Sequence, residues 1–399
     1  MQRSCEHRHA ATTTRDERER QQGPAADHSA PHVVDGPQIR ITVSVPVSLR
    51  TKLRAVSRTA ASRTPGAPAA DHARAVDQLG SDSATVRLGG LRSLERLARD
   101  HPADRQRVAD QLCDYLRLPS DDHPRPGHER EVRLVAQRVL AALLRTGTQD
   151  VSIDLTGAVL TDLDLEECQI GAAKFERAVF VGRTSFDQAV LGDVTFDGAR
   201  FETNASFGHT RFTTFAQFIE TRFDGDAWFL GAEFASHVWF DRARFAGHVR
   251  FGCTKFRGKS IFIETDFAGH AQFGSAEFGC CSFGEARFGG VANFGLAQFT
   301  GDVRFTGTRF DDVAWFDGAR FHTNSTVFED ATFASFARMH DVWANSHQRS
   351  GQYEPSWPPG WLVDVAGGAN GWARVVPAPA VLPSPRRASP GEPAWRPSP

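Results

Sequence analysis

From Leu155 to Phe333 a large apolar residue recurs at every fifth or sixth position, and two places before nearly every one stands Ala, Val, Thr, Ser or Cys. The series opens on Leu155, Leu160, Leu165, Ile170, Phe175 and Phe180, preceded in turn by Ile153, Ala158, Leu163, Cys168, Ala173 and Ala178. It runs on through Phe196, Phe201, Phe207, Phe212 and their successors, 34 centres in all, of which 29 are Phe. The chain has 31 Phe, so only Phe215 and Phe336 fall off the pattern. An amphipathic helix repeats near 3.6 residues and a half-buried strand at 2, and neither accounts for this period. A fixed short period sustained this long predicts a solenoid in which each coil buries its inner residues against the next. No Pro occurs between Pro126 and Pro355, as a continuous ladder that uses every backbone N–H requires.

Ahead of the solenoid, residues 71–148 follow a helical period. Val86, Leu91, Leu94 and Leu97 form one apolar stripe, Val108, Leu112 and Leu116 a second, and Val132, Val135, Val139 and Leu143 a third. Breaks fall at Asp100-His101-Pro102 and from Pro119 to Gly127. Val86-Arg87-Leu88 returns as Val132-Arg133-Leu134 after 46 residues, the period of HEAT-like repeats. An open solenoid end exposes strand edges and stacked apolar rings, so these helices are expected to cap it. Residues 1–70 carry no aromatic side chain and little apolar periodicity, and are expected to be disordered apart from one strand over the alternating Ile39, Ile41, Val43, Val45 and Val47. Beyond a β-helix spanning 149–336, Trp343, Trp357, Trp361 and Trp372 are suited to fold over the last coil within a closing segment, 337–376. Residues 377–399 form a Pro-rich tail.

Units such as Ala158-Val159-Leu160-Thr161-Asp162 and Ala199-Arg200-Phe201-Glu202-Thr203 resemble the pentapeptide-repeat family, with a small residue at the first position and Leu or Phe at the third. The resemblance covers roughly half of the chain. It implies a mainly β fold, a right-handed four-sided parallel β-helix with one unit per side and both residues pointing inward, here preceded by a small α-helical domain. The stretch Val86–Ala98 also resembles the helical region that precedes such repeats in many actinobacterial proteins, whose members often carry membrane helices further upstream. No segment of this chain has the apolar length of a membrane span, and Met1–Gln21 lacks the apolar core of a signal peptide, so a cytoplasmic location is expected.

From Phe201 onward the spacing mostly alternates five and six. Gly occupies the wider corner at Gly225, Gly247, Gly258, Gly269, Gly290 and Gly301, which predicts positive φ there. With four units per coil the rod has about eight coils, and residues four units apart stack at roughly 4.8 Å. One side then reads Arg200, Arg222, Arg244, Asp266, Arg287, Arg309, with Glu202, Asp224 and Asp311 two residues along. The opposite side reads Arg211, Glu233, Lys255, Glu277, Gln298, Arg320, an alternation able to pair with itself. Trp228 and Trp315 point outward on the side between, and Trp239 on another. An outward Trp on a rod has little to pack against, which makes it an interaction candidate. The candidate partner surface is therefore Arg200, Arg222, Arg244, Arg287 and Arg309 with Trp228 and Trp315.

Charge and chemistry narrow the function classes. Residues 151–340 hold 25 Asp plus Glu against 17 Arg plus Lys, a net charge of −8. With a formal net charge of −2 overall the chain has no basic footprint for nucleic acid. Its basic residues are nearly all Arg, a bias similar to that of GC-rich actinobacterial genomes. The six Cys show no framework spacing; Cys168 and Cys281 sit at inward small-residue positions. Cys5-Glu6-His7-Arg8-His9, and His248 with His270 below Asp226, fall short of closed metal sites. No catalytic motif or cofactor loop is present. The reading is a non-enzymatic protein-interaction scaffold without cofactor. The alternative rests on the resemblance, since some family members imitate duplex DNA and bind DNA gyrase.

Overall fold

The computed structural model describes residues 67–119, 126–147, 149–323, 325–345, 355–369 and 371–379. The strand expected over Ile39 to Val47, the Cys5 to His9 segment and most of the Pro-rich tail lie outside the described residues.

Four helices come first: α1 (Ala67–Leu79), α2 (Ala84–Asp100), α3 (Arg105–Arg117) and α4 (Pro126–Arg145). Helix α1 begins inside the segment expected to lack structure. Its opening Ala-Pro-Ala-Ala explains this, since Pro is preorganised for a first turn and Ala is the strongest helix former. The second stripe is buried as expected, with Val108, Leu112 and Leu116 fully inside, and in the third Val132, Val139 and Leu143 are buried while Val135 is only partly so. The first needs correction, because Val86 is 41% exposed while Arg87 is fully buried. The Arg87 guanidinium donates to the carbonyls of Ser81 (2.8 Å) and Asp82 (3.1 Å) and pairs with Glu129 at 3.1 Å. Arg133, at the equivalent place in the second Val-Arg-Leu, likewise donates to the carbonyls of Leu116 and Leu118. The shared signature thus turns its Arg inward, since five donors can collect orphan carbonyls that no apolar side chain satisfies.

From residue 152 to 344 the chain winds about nine turns of a parallel β-solenoid, one more than the centres alone suggest, because Ala337–Arg338 and Trp343–Asn345 extend the ladder past the last Phe centre. Each turn has four sides. Side 1 stacks nine strands from Val159–Thr161 to Thr332–Phe333, and side 2 eight from Thr184–Ser185 to Ala337–Arg338. Sides 3 and 4 merge into one sheet because Gln169–Lys174 and Val190–Thr195 run straight through the corner between them. Register follows the sequence rhythm: Arg200 pairs with Arg222, and Phe201 with Phe223.

Both residues of each unit are buried, as Ala205 and Phe207 or Ala227 and Phe229 show. Rings of successive coils stack, Phe201 on Phe223 at 4.7 Å and Phe223 on Phe245 at 4.8 Å, within 4° of parallel. Rings from opposite sides of one coil meet edge to face, Phe196 against Phe207 at 5.7 Å and 88°. Removing one such ring costs about 3–5 kcal/mol through transfer and cavity terms.

The two corner types differ in a way the sequence reading misassigned. At the five-residue corner the small residue's N–H donates back to the centre's carbonyl, as from Ala243 to Phe240 (2.9 Å). The residue two past the centre then takes positive φ: His209 54°, Glu220 56°, Arg242 55°. At the wide corner, none of Gly225, Gly247, Gly258, Gly269, Gly290 and Gly301 has positive φ. Glycine is needed there for close approach instead. A Cβ on Gly247 would lie 2.6 Å from the carbonyl carbon of Gly225 one coil away, and one on Gly225 would lie 2.5 Å from that of Thr203.

Wide corners also carry a side-chain ladder where the backbone ladder lapses. The Asp226 N–H donates to Asn204 Oδ1 (2.9 Å), His248 N–H to Asp226 Oδ1 (2.8 Å), His270 N–H to His248 Nδ1 (3.0 Å) and Val291 N–H to His270 Nδ1 (3.0 Å).

Both ends are closed. Gln106 of α3 donates to Ser152 O (2.9 Å) and accepts from Ser152 N–H (2.8 Å), while Gln137 of α4 does the same for Thr161 at 2.7 and 3.1 Å. Each amide replaces the missing coil below, so the first turn has no bare edge at these points. At the far end the strands Trp361–Ala369 and Trp372–Pro377 form an antiparallel hairpin, whose inner strand pairs with Trp343–Asn345. Trp357 sets its ring edge-on against Phe321 at 5.2 Å.

Candidate functional site

Continuous pairing on side 1 brings Arg200, Arg222, Arg244, Asp266, Arg287 and Arg309 into one column. All five Arg side chains are exposed. Their neutralisation obeys a diagonal rule. Arg200 pairs with Asp224 at 2.6 Å and Arg287 with Asp311 at 2.7 Å, each acid lying one residue past the centre in the next coil. On side 3 the same diagonal joins Glu233 to Arg257 at 3.2 Å, so the alternation of Arg211, Glu233 and Lys255 does not pair with itself. For Arg222, Arg244 and Arg309 the diagonal position is Ala246, Ala268 and Ala334. Among the described residues these three guanidiniums have no ion pair, while Arg200 takes a second at 3.5 Å from Glu202 and Arg287 a second at 3.3 Å from Asp266. The hydrogen bond and charge of Asp224 hold the Arg200 guanidinium above its ordinary range.

Trp228 and Trp315 share side 2 but do not come together. Arg250, Gln272 and Asn293 stand between them in the column, a separation of about 19 Å at strand spacing. The Trp228 indole is half-buried, its Nε1 has no hydrogen-bond partner among the described residues, and it walls a groove of about 620 Å³ with Arg183, Asp187 and Asn204. Trp315 is 38% exposed, with the Arg338 guanidinium 5.2 Å over its ring and held there by Asp317 at 2.7 Å.

His248 and His270 stack at 4.8 Å with Nδ1 of each accepting a backbone N–H, which makes them rungs of the corner ladder. Among the described residues there is no group of three or more His, Cys, Asp or Glu able to hold a metal ion, and no helix is long and apolar enough to cross a membrane. Cys168 is fully buried, and burial pushes its thiol up to about 12, consistent with a small apolar filler.

Sequence reasoning missed which Arg residues stay uncompensated, although the diagonal Ala246, Ala268 and Ala334 were legible once the offset was known. It also left Phe215 and Phe336 without a role, and both are exposed, at 48% and 56%.

Residues 165–211, 207–252 and 254–298 match the family model for pentapeptide repeats (9 copies). No curated protein and no solved structure matches the chain.

Proposed function

The solenoid belongs to the pentapeptide-repeat family, and from that premise we propose that this protein is a non-enzymatic scaffold whose side 1 holds an acidic protein partner. The observation that carries the reading is the trio Arg222, Arg244 and Arg309, exposed on a rigid ladder and left without counter-charge. A guanidinium presents a planar fork of donors matched to carboxylates, and an uncompensated column on a rigid frame needs little reorganisation to bind. Trp315, on the adjoining side, supplies an aromatic anchor of the kind enriched at interface centres.

The test uses a fluorescein-labelled acidic peptide of alternating Glu and Ala, read by anisotropy. Binding should weaken about tenfold or more in the triple variant Arg222→Ala, Arg244→Ala, Arg309→Ala, and should weaken with added salt. The pair Arg200→Ala, Arg287→Ala, already neutralised within the fold, should bind nearly as well as the wild type. Equal binding by wild type and triple variant sinks the assignment of side 1.

A second reading, a duplex-DNA mimic that engages DNA gyrase, is favoured by the −8 balance of residues 151–340. The Arg column opposes it, because a basic DNA-binding groove would meet like charge on that side, at a cost of several kcal/mol. The purified protein is therefore expected to leave gyrase supercoiling unaffected, and potent inhibition would favour the mimic.

A further inference from the structure

Side 4 carries an apolar cluster that the fold does not use. Phe215 stands at the wide corner, 48% exposed, with its ring 5.9 Å from that of Trp239 and 5.9 Å from that of His237. Ile261 is the register neighbour of Trp239 in the next coil, and Ile263, two residues on, is 39% exposed. Every Phe centre of these coils is fully buried, so the off-pattern Phe215 adds nothing to the core. It places an aromatic ring in water on the outside of a rod.

The corner that side 4 shares with side 1 is acidic. One residue past the centre, successive coils read Asp197, Ile219, Asp241, Ile263, and one further read Gly198, Glu220, Arg242, Glu264. Asp197 accepts the N–H of Ile219 (3.0 Å) and Asp241 that of Ile263 (3.2 Å), so carboxylate and apolar side chain alternate along one edge. Arg242 is tied to Glu220 at 2.9 Å, while Glu264 makes no ion pair among the described residues. Burial first, opposed by the Ile219 N–H and reinforced by Glu176 and Glu220, raises the Asp197 carboxyl above its usual range; burial likewise raises Asp241, opposed by the Ile263 N–H and the Arg242 charge and reinforced by Glu264. Arg242 is the one cation of this corner between Asp197 and Glu264, and it leaves Glu264 without an ion pair among the described residues.

We infer that side 4 is a second docking surface, independent of the Arg column, and that its partner is a basic polypeptide segment bearing apolar side chains. The apolar residues would seat on Phe215, Trp239, Ile261 and Ile263, and the Lys or Arg residues would meet Asp197, Asp241, Glu220 and Glu264 along the corner. Charge complementarity decides the occupant: an acidic segment is repelled by the corner, and an uncharged one leaves the carboxylates uncompensated.

The probe is a fluorescein-labelled amphipathic peptide of Lys and Leu, with a Glu and Leu peptide of equal length as its counterpart. The full-length protein should bind the basic peptide and not the acidic one. Phe215→Ser with Ile263→Ser should weaken binding at least tenfold, as should Asp241→Asn with Glu264→Gln, and the triple Arg variant of side 1 should bind as the wild type does. All four substituted side chains stand partly in solvent, and cooperative melting at temperatures no lower than that of the wild type would show that the variants fold. Binding that survives both pairs of substitutions, or equal binding of the two peptides, overturns the inference. A wild-type dimer in sedimentation that Phe215→Ser converts to monomer also overturns it, by assigning the patch to a second copy of the chain. Failure of the side 1 test leaves this result untouched, since the two surfaces share no substituted residue.

Discussion

A single glycine separates two accounts of the wide corner. Gly247 has no positive φ, and its missing Cβ makes room for the Gly225 backbone. Gly247→Ala is therefore expected to destabilise by about 1–3 kcal/mol through overpacking, even though Ala is at ease in ordinary backbone. Gly274→Ala, where a Cβ would find only Gly295 O at 3.7 Å, should be neutral or stabilise by up to about 1 kcal/mol through the unfolded chain. Thermal melts that rank the two the other way refute the close-approach account. Asp241 makes the opposite point, a side chain kept at a cost. Burial raises its folded-state pKa above the unfolded value, so its contribution to stability is complete below the unfolded value and is lost as pH rises through the folded one. At neutral pH the ionised carboxylate is a burden. Asp241→Asn retains an oxygen for the Ile263 N–H and should melt higher than the wild type at pH 7, with the gain shrinking as the pH falls through the carboxylate range. A lower melting temperature at pH 7 would contradict this.

Elements here are short, most strands having two residues, so no strand is stable alone and each depends on its neighbours above and below. The vulnerable places are the ends. At the start, Gln106 and Gln137 each present an amide that copies a peptide group, which is how helices continue a parallel ladder they cannot join. Gln137→Leu leaves the N–H and C=O of Thr161 unpaired under α4, at an expected cost of about 1–3 kcal/mol. Hydrogen exchange at the Thr161 amide should accelerate with it, and unchanged protection would show that water or another side chain serves equally well. At the other end an antiparallel hairpin takes over, because its inner strand can pair with Trp343–Asn345 while turning the chain away from the stack.

At the scale of the molecule, four sides of one rod carry different chemistry: a guanidinium column on side 1, separated Trp residues on side 2, mixed charge on side 3, and an apolar cluster beside an acidic corner on side 4. A rod whose inner residues are nearly invariant in type can vary its outer positions freely, since outward side chains contribute little to the stack. The five-and-six rhythm of apolar centres was enough, by itself, to determine a solenoid, because a fixed short period sustained over 34 centres buries them only by stacking coil on coil; the four sides, and with them the Arg column, came from the resemblance to pentapeptide repeats and were then found in the register. Helical periodicity located α2, α3 and α4 but mistook Val86 for core, as it scores hydrophobicity and is blind to an Arg that collects carbonyls. Tertiary structure alone decided the rest. Whether a corner glycine answers to φ or to the backbone of the next coil, which Arg meets an acid on the diagonal and which meets Ala, and where Phe215 finds Trp239 all depend on contacts between residues about 22 apart. Those contacts exist only once the coils are stacked, and a local reading of the chain has no term for them.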